Sequence, residues 1–513
     1  MAQLVINSDF QIINKIIKPF KYQGDMFKSI KLFFCFSSIL FLTISCTDLK
    51  DEIKEAADGN KIDQSEYKKI TKFISDKEIE TFNENGKLID KKLVAYIINI
   101  CSKENLPISE KDIWQDKSSA PKTQSFNLNV FVENSASMDG YVAGVTEFES
   151  AIYNLLGDFK INGITNQLNL NYINSSIRSH KNDALSADIQ DFIFRLEPTT
   201  FKQRRGQAGN SDMQKIINSV LTTVDEKNVS VLISDFVFSD PSGAESQQYL
   251  TNQGVGIKIN FAEKLQNFNL SAIVIQLESS FSGTYYDKKI TPITLPTNTK
   301  RPYYIWILGS TSQIQTILDS KILDNIKGGY LNRLVMSKIK QESSPNFKIL
   351  INPKIGEFSS EGLDKKIIFD AEPSEKPNTK GLFGFDLAVD FSSSMQDKKY
   401  FLDKNNYRLS NTSYNLTTKT INDPNNISLK GFTHIIHLET KKIQDGPLKI
   451  DVIGNTPNWV YNSTSMDDSN IQTDAEEQKK TFGFKFLMEG INDAFYPKTN
   501  TNTINSLTVT IKK

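Results

Sequence analysis

The chain is poor in the residues from which most catalytic and metal-binding constellations are built. It has three histidines and three cysteines in 513 residues. With so few histidines, a His-based catalytic triad has hardly any parts to draw on. His180 stands alone in a polar stretch, while His434 and His437 sit at i and i+3 of an expected strand. That spacing sends them to opposite faces, so they do not share an ion. Net charge is also missing. Sixty basic residues balance sixty acidic ones, which leaves no overall field to draw in nucleic acid or an anionic membrane surface. The apolar stretch Leu32–Ile44, 13 residues long, is too short to span a bilayer comfortably. Internal repeats and long disordered tracts are not evident. The length exceeds what one core supports and allows roughly two to four domains.

What is there begins with targeting. Met26 is a better start than Met1. It opens a short basic region (Lys28, Lys31), followed by the apolar stretch and then by Leu42-Thr43-Ile44-Ser45-Cys46. This is the layout of a secretory signal, and its end resembles a bacterial lipobox, with Thr43 where leucine is usual. The resemblance implies cleavage before Cys46, lipidation of that residue and anchoring through acyl chains, each buried CH2 contributing about 0.8 kcal/mol. Cys35 would leave with the signal. Only Cys101 then remains, so no intrachain disulfide can form, and its helical context (AYIINICSKEN) reads as core. Lys50-Asp51-Glu52, just past the anchor, resembles the short acidic signal of surface-exposed Gram-negative lipoproteins.

Residues 47–120 read as a helical stalk and linker, with helices over Lys61–Ser75 and Lys87–Lys103. EAADGNKIDQSE (Glu55–Glu66) and TFNENGKLIDKK (Thr81–Lys92) hint at calcium loops, but both lack carboxylates at required positions and read as helix-turn-helix without calcium. Over 121–330, strands alternate with helices: strands at Phe126–Glu133, Leu168–Ile173, Val229–Ile233, Leu270–Leu277 and Tyr303–Leu308, helices at Glu147–Asp158, Asp183–Phe194, Asp212–Val224, Ile257–Phe268 and Thr311–Leu318. Near-continuous apolar strands in this pattern predict an α/β fold with a doubly wound, mostly parallel sheet. Over 340–513 the texture changes to alternating strands such as FKILINP, THIIHLET, FGFKFLMEG and SLTVTIKK, predicting an antiparallel β-sandwich.

Three loops at carboxyl ends of expected strands or starts of helices carry hard oxygen donors: Glu133-Asn134-Ser135-Ala136-Ser137, Gly209-Asn210-Ser211-Asp212 and Ser234-Asp235. Such oxygens suit Mg2+ or Ca2+, and loops at this end of an α/β sheet are where ligands collect. In order and interval they resemble the von Willebrand factor A domain and its metal-ion-dependent adhesion site, written Asp-x-Ser-x-Ser, then Thr, then Asp. The resemblance covers 125–325. It implies a Rossmann-like sheet and a site for Mg2+ (or Mn2+ or Ca2+) held by Glu133, Ser135, Ser137, Ser211 and Asp235, directly or through water. Glu133 departs from the family's Asp, Ser211 from its Thr, and Phe236 from a common Gly.

The resulting expectation is a lipid-anchored protein of a Gram-negative envelope, in the outer membrane, facing either the periplasm or the cell surface. Its metal would be completed by an acidic group of a protein partner, or its surface would take a glycan, for adhesion or assembly. Phe281–Asp287 (FSGTYYD) and Pro302-Tyr303-Tyr304 are candidate linings of such a glycan or peptide surface. Arg204 and Arg205 are candidate anion contacts, and give an alternative: a hydrolase in which Ser135 or a metal-bound water attacks a phosphate or ester. A further alternative is a metal-independent scaffold whose site has decayed.

Overall fold

The computed structural model describes residues 49–77, 79, 82–84, 87–88, 90–104, 106–114, 125–204, 212–239, 246–338, 344–360, 366–422, 426–497 and 502–513. The expected signal region with Cys46 lies outside them. Among the described residues no helix is long and apolar enough to cross a membrane. The chain divides into two compact units, residues 1–122 and 123–513.

The first unit is helical as expected. A helix over 49–56 is followed by helices Gln64–Asp76 and Asp90–Lys103. Their apolar stripes close a small core of Ile53, Ile62, Tyr67, Ile70, Leu93 and Ile97, with Cys101 fully buried. Burial pushes the Cys101 thiol up, as expected of an inert core cysteine. Asp63 caps the Gln64–Asp76 helix by accepting from the Ser65 and Glu66 backbones, and Glu66 reaches back to the Asp63 N–H at 2.8 Å. The carboxylate that would close a calcium loop at Glu66 is thus spent on a capping box. In the second calcium-like segment, Thr81, Asn85, Gly86 and Ile89 lie outside the described residues.

The second unit is built on a seven-stranded sheet. Its strands are β1 (Phe126–Glu133), β2 (Thr165–Ile173), β3 (Ile177–Lys181), β4 (Asn228–Ser234), β5 (Leu270–Phe281), β6 (Thr299–Ser310) and β7 (Tyr330–Ser337). They lie in the order β7-β5-β6-β4-β1-β2-β3. Helices α1 (Glu147–Ile161), α2 (Ser186–Phe194), α3 (Met213–Thr222), α4 (Ser246–Asn267) and α5 (Thr311–Asp319) accompany it. Thr146, Asp212 and Ser310 cap α1, α3 and α5 through their side chains.

The α/β class is as expected; the mostly parallel sheet is not. Only the junctions β1–β2 and β1–β4 are parallel. The junctions β2–β3, β4–β6, β6–β5 and β5–β7 are antiparallel. The reason lies in the connections. No crossover helix separates β5 from β6, only the small hairpin of Thr284–Tyr286 with Pro292–Thr294, so the chain must return antiparallel. Buried antiparallel strands read as continuously apolar too, because β5 and β6 are covered along nearly their whole length. Composition alone cannot separate the two cases.

The β-rich remainder forms two sheets. Four antiparallel strands run in the order Asn346–Ile355, Phe383–Asp390, His434–Thr440, Tyr414–Thr420. The second sheet has five strands, with Ile367–Glu372 parallel to Thr503–Ile511, so it is mixed rather than wholly antiparallel. Residues expected to form a separate domain return to the seven-stranded sheet. FGFKFLMEG, read as a strand, belongs to helix Phe484–Phe495. Its buried Phe484, Leu487, Met488, Ile491 and Phe495 follow the helical period. This helix meets α4 through glycines. A Cβ on Gly490 would lie 2.4 Å from the Gly254 carbonyl oxygen, and one on Gly254 would lie 2.7 Å from that of Phe486. Only absent side chains let the backbones come this close.

Candidate functional site

β1 is the one strand of the sheet with a parallel neighbour on each side. Val132 lies opposite Tyr172 of β2 and Ile233 of β4. The carboxyl ends of β1 and β4 therefore leave the sheet side by side, where α/β folds gather ligands. This brings together Glu133-Asn134-Ser135 and Ser234-Asp235, all with 8% exposure or less.

Beyond β1 the chain turns into a 3-10 helix, Ala136–Val142. Ser135 stands at its N-cap position without capping it through its side chain. Its Oγ instead lies 3.0 Å from Ser137 Oγ. Ser137 faces the Asp235 carboxylate and favours its ionised form. The turn needs Gly140. A Cβ there would sit 2.4 Å from the Phe281 ring, and the Gly140 carbonyl accepts from Ser282 N–H at 2.9 Å.

The two carboxylates are treated differently. Glu133 Oε2 accepts the Ser234 hydroxyl, which itself accepts Phe236 N–H at 2.8 Å. Asp235 Oδ1 accepts Val237 N–H at 3.2 Å. Burial pushes the Asp235 carboxyl up, opposed by the Val237 N–H, by Arg301 and by Ser137. Phe236, between them, has φ +51°. A bulky side chain in that left-handed region is strained. It is held there by its ring, which stacks on Trp306 at 4.4 Å between centroids.

Arg301, on β6, was not singled out by the sequence. It is fully buried, lies 4.5 Å over the Tyr285 ring, and donates from Nη1 to the Gln478 carbonyl at 3.0 Å. Its Nε and Nη2 have no hydrogen-bond partner among the described residues. The signal was a lone arginine at the head of an apolar strand, since a charge in such a place must be compensated. Tyr285 in turn donates to Asp468 at 2.7 Å.

The other sequence candidates are dispersed. Ser211 and Arg205 lie outside the described residues. Arg204 is given to His180 Nδ1 at 2.7 Å and lies over the Tyr172 ring. It is engaged there rather than offered to Ser135. Phe281, Tyr285, Pro302, Tyr303 and Tyr304 are buried, so they do not line an exposed glycan or peptide surface. β5 and β6 are interior strands covered on both faces. His434 is fully buried, bonding Thr433 Oγ1 and the Lys398 carbonyl, while His437 points the other way to Asp386 at 2.6 Å.

Among the described residues no three or more His, Cys, Asp and Glu side chains gather into a metal site. A cation here relies on hydroxyls as well as Glu133 and Asp235. That donor set is all hard oxygen. The 3.0 Å Ser135–Ser137 separation matches the edge of an octahedron whose ligands stand about 2.1 Å from Mg2+. Ser135, Ser137 and Asp235 thus fit a divalent ion, with Glu133 held back by Ser234. No protein-family model, curated protein or solved structure matches the chain. The site's own chemistry carries the functional reading.

Proposed function

We propose that this is a lipid-anchored protein of a Gram-negative cell envelope, held by Cys46, that binds a protein partner through a divalent cation at the carboxyl ends of β1 and β4. The fold proposed for this part is a variant of the von Willebrand factor A domain. In support, β3-β2-β1-β4 keeps the 3-2-1-4 order of doubly wound sheets, with β3 reversed. Ser135, Ser137 and Asp235 would hold the ion, Ser211 would join them from its loop, and Glu133 would act through water. When bound, the ion supplies a Lewis-acidic position for an outside carboxylate.

The observation that carries the reading is the convergence of hard oxygens: Ser135 Oγ lies 3.0 Å from Ser137 Oγ, and Ser137 reaches the buried Asp235 carboxylate. Burying that carboxylate is costly. A divalent ion there would offset the cost and leave a positive position for an acidic side chain of a partner. Arg204 is committed to His180 and is not offered as an anion clamp for a substrate at Ser135, which weighs against a hydrolase. A metal-independent scaffold draws on the Ser234–Glu133 bond, which satisfies that carboxylate internally.

The test is thermal unfolding of the chain from residue 47 onward, titrated with Mg2+, Mn2+ and Ca2+ beside Asp235→Asn and Ser137→Ala. Saturation at a hundred times Kd stabilises by about 2.7 kcal/mol, a shift of a few degrees, and the variants lose it. An unchanged midpoint with all three ions, together with partner binding that survives EDTA, rejects the metal and leaves the scaffold.

A further inference from the structure

A groove of about 480 Å3 opens between α1 and α2, next to the turn that follows Ser137. Val142, Tyr153, Ile193, Phe194 and Leu196 give it apolar walls, and Glu149 stands among them. At its edge Val145 is 97% exposed and Phe194 85% exposed. Large apolar side chains left in water around a concavity mark an interaction site more often than chance. The size is that of a pocket for a side chain or small ligand.

Glu149 makes the groove specific. α1 buries Phe148, Ala151, Ile152, Leu155 and Leu156. Glu149 and Tyr153, four residues apart, form the neighbouring stripe that faces the groove. The Glu149 carboxylate has no hydrogen bond or ion pair among the described residues. The cations that flank the groove's lining residues in sequence are committed elsewhere: Arg195 to Asp191 at 2.7 Å and Lys202 to Asp139 at 3.8 Å. The other acid of the groove, Glu197, is spent on capping helix Pro198–Gln203. Burial without a counter-charge pushes the Glu149 carboxyl up to about 7. A half-buried, uncompensated carboxylate inside apolar walls complements a cation carried on an apolar stem, the chemistry of a lysine or arginine side chain.

We propose that this groove docks a protein partner that inserts a basic side chain against Glu149 and lays flanking apolar residues on Phe194 and Val145. The inference is independent of any ion at Asp235, because none of its contacts involves that site.

The test is methyl NMR of the chain from residue 47 onward, following Val142, Ile193 and Leu196. The probes are butylammonium and butylguanidinium, with n-butanol as the uncharged control, and the peptide acetyl-Leu-Lys-Leu-amide. The cations should give saturable shifts, in the millimolar range for such small groups. n-Butanol should bind at least fivefold more weakly, and the peptide about tenfold more tightly than butylammonium. Glu149→Gln, with an unchanged methyl spectrum elsewhere as proof of folding, should abolish the preference for cations. Equal binding of butanol and butylammonium, or no saturable shift with either cation, overturns the proposal without recourse to a variant. A peptide no tighter than the bare side chain assigns the groove to small amines and overturns protein docking.

Discussion

Asp235 and Arg301 face each other from adjacent antiparallel strands or their ends, with 2% and 0% of their surfaces exposed. Each restrains the cost of burying the other. The guanidinium also lies over Tyr285 and holds Gln478 of the returning C-terminal segment. Removing one member of a buried charged set leaves the rest uncompensated, at about 3–5 kcal/mol. Arg301→Met should therefore lower stability by that order. Denaturant unfolding would check it, and a change below about 1 kcal/mol would mean that the cluster is less coupled than its burial implies.

Phe236 sets two effects against each other. Glycine would relieve the left-handed backbone at φ +51°, a gain of about 1 kcal/mol. It would also remove a fully buried ring stacked on Trp306, a loss of about 3–5 kcal/mol. Phe236→Gly should destabilise by about 2–4 kcal/mol in a melt. A neutral or stabilised variant would show that the ring is not what holds this turn.

Glu149 gives a prediction with a definite sign. Its folded pKa is raised from 4.5 to about 7. A raised acid is neutral in both states at low pH and costs stability once the unfolded chain would ionise. Glu149→Gln should stabilise the protein at about pH 8, by about 1 kcal/mol once the half-exposed setting is discounted. The gain should shrink as pH falls through 7 and vanish near pH 4. A pH-independent gain would point to packing rather than ionisation.

His437 behaves in the complementary way. Its bond to Asp386, opposed by desolvation, raises its pKa above 6.5. A raised base contributes stability that is full below the unfolded pKa and is lost as pH rises through the folded one. His437→Asn should lower the melting temperature near pH 5.5 and leave it nearly unchanged near pH 9. Equal losses at both values would remove the Asp386 pair as the cause.

Much of the local structure was legible. The strands at Phe126, Val229, Leu270 and Tyr303 and the helices at Glu147, Asp212 and Thr311 stand where periodicity and caps put them. Ser135, Ser137 and Asp235 do converge. Other features were not readable. α4 begins well before Ile257, because Gly254 and Gly256 sit inside it as contact points and not as breakers. The helix Phe484–Phe495 passed for a strand because FGFKF alternates over its first five residues, shorter than the window in which the helical period shows. Arg301 was overlooked because its significance depends on which loops cover it.

By itself the sequence determined the α/β class, the helical first unit and the oxygen-bearing turns after β1 and β4, because period, capping and turn chemistry act within about ten residues. Tertiary structure alone decided that most junctions of the large sheet run antiparallel, that residues 455–497 return to cover it, that Glu133 is held by Ser234 while Asp235 faces Arg301, and that Glu149 has no counter-charge among the described residues. These are pairings between residues tens to hundreds of positions apart. Their energies come from burial and desolvation, which exist only once the distant segments have met.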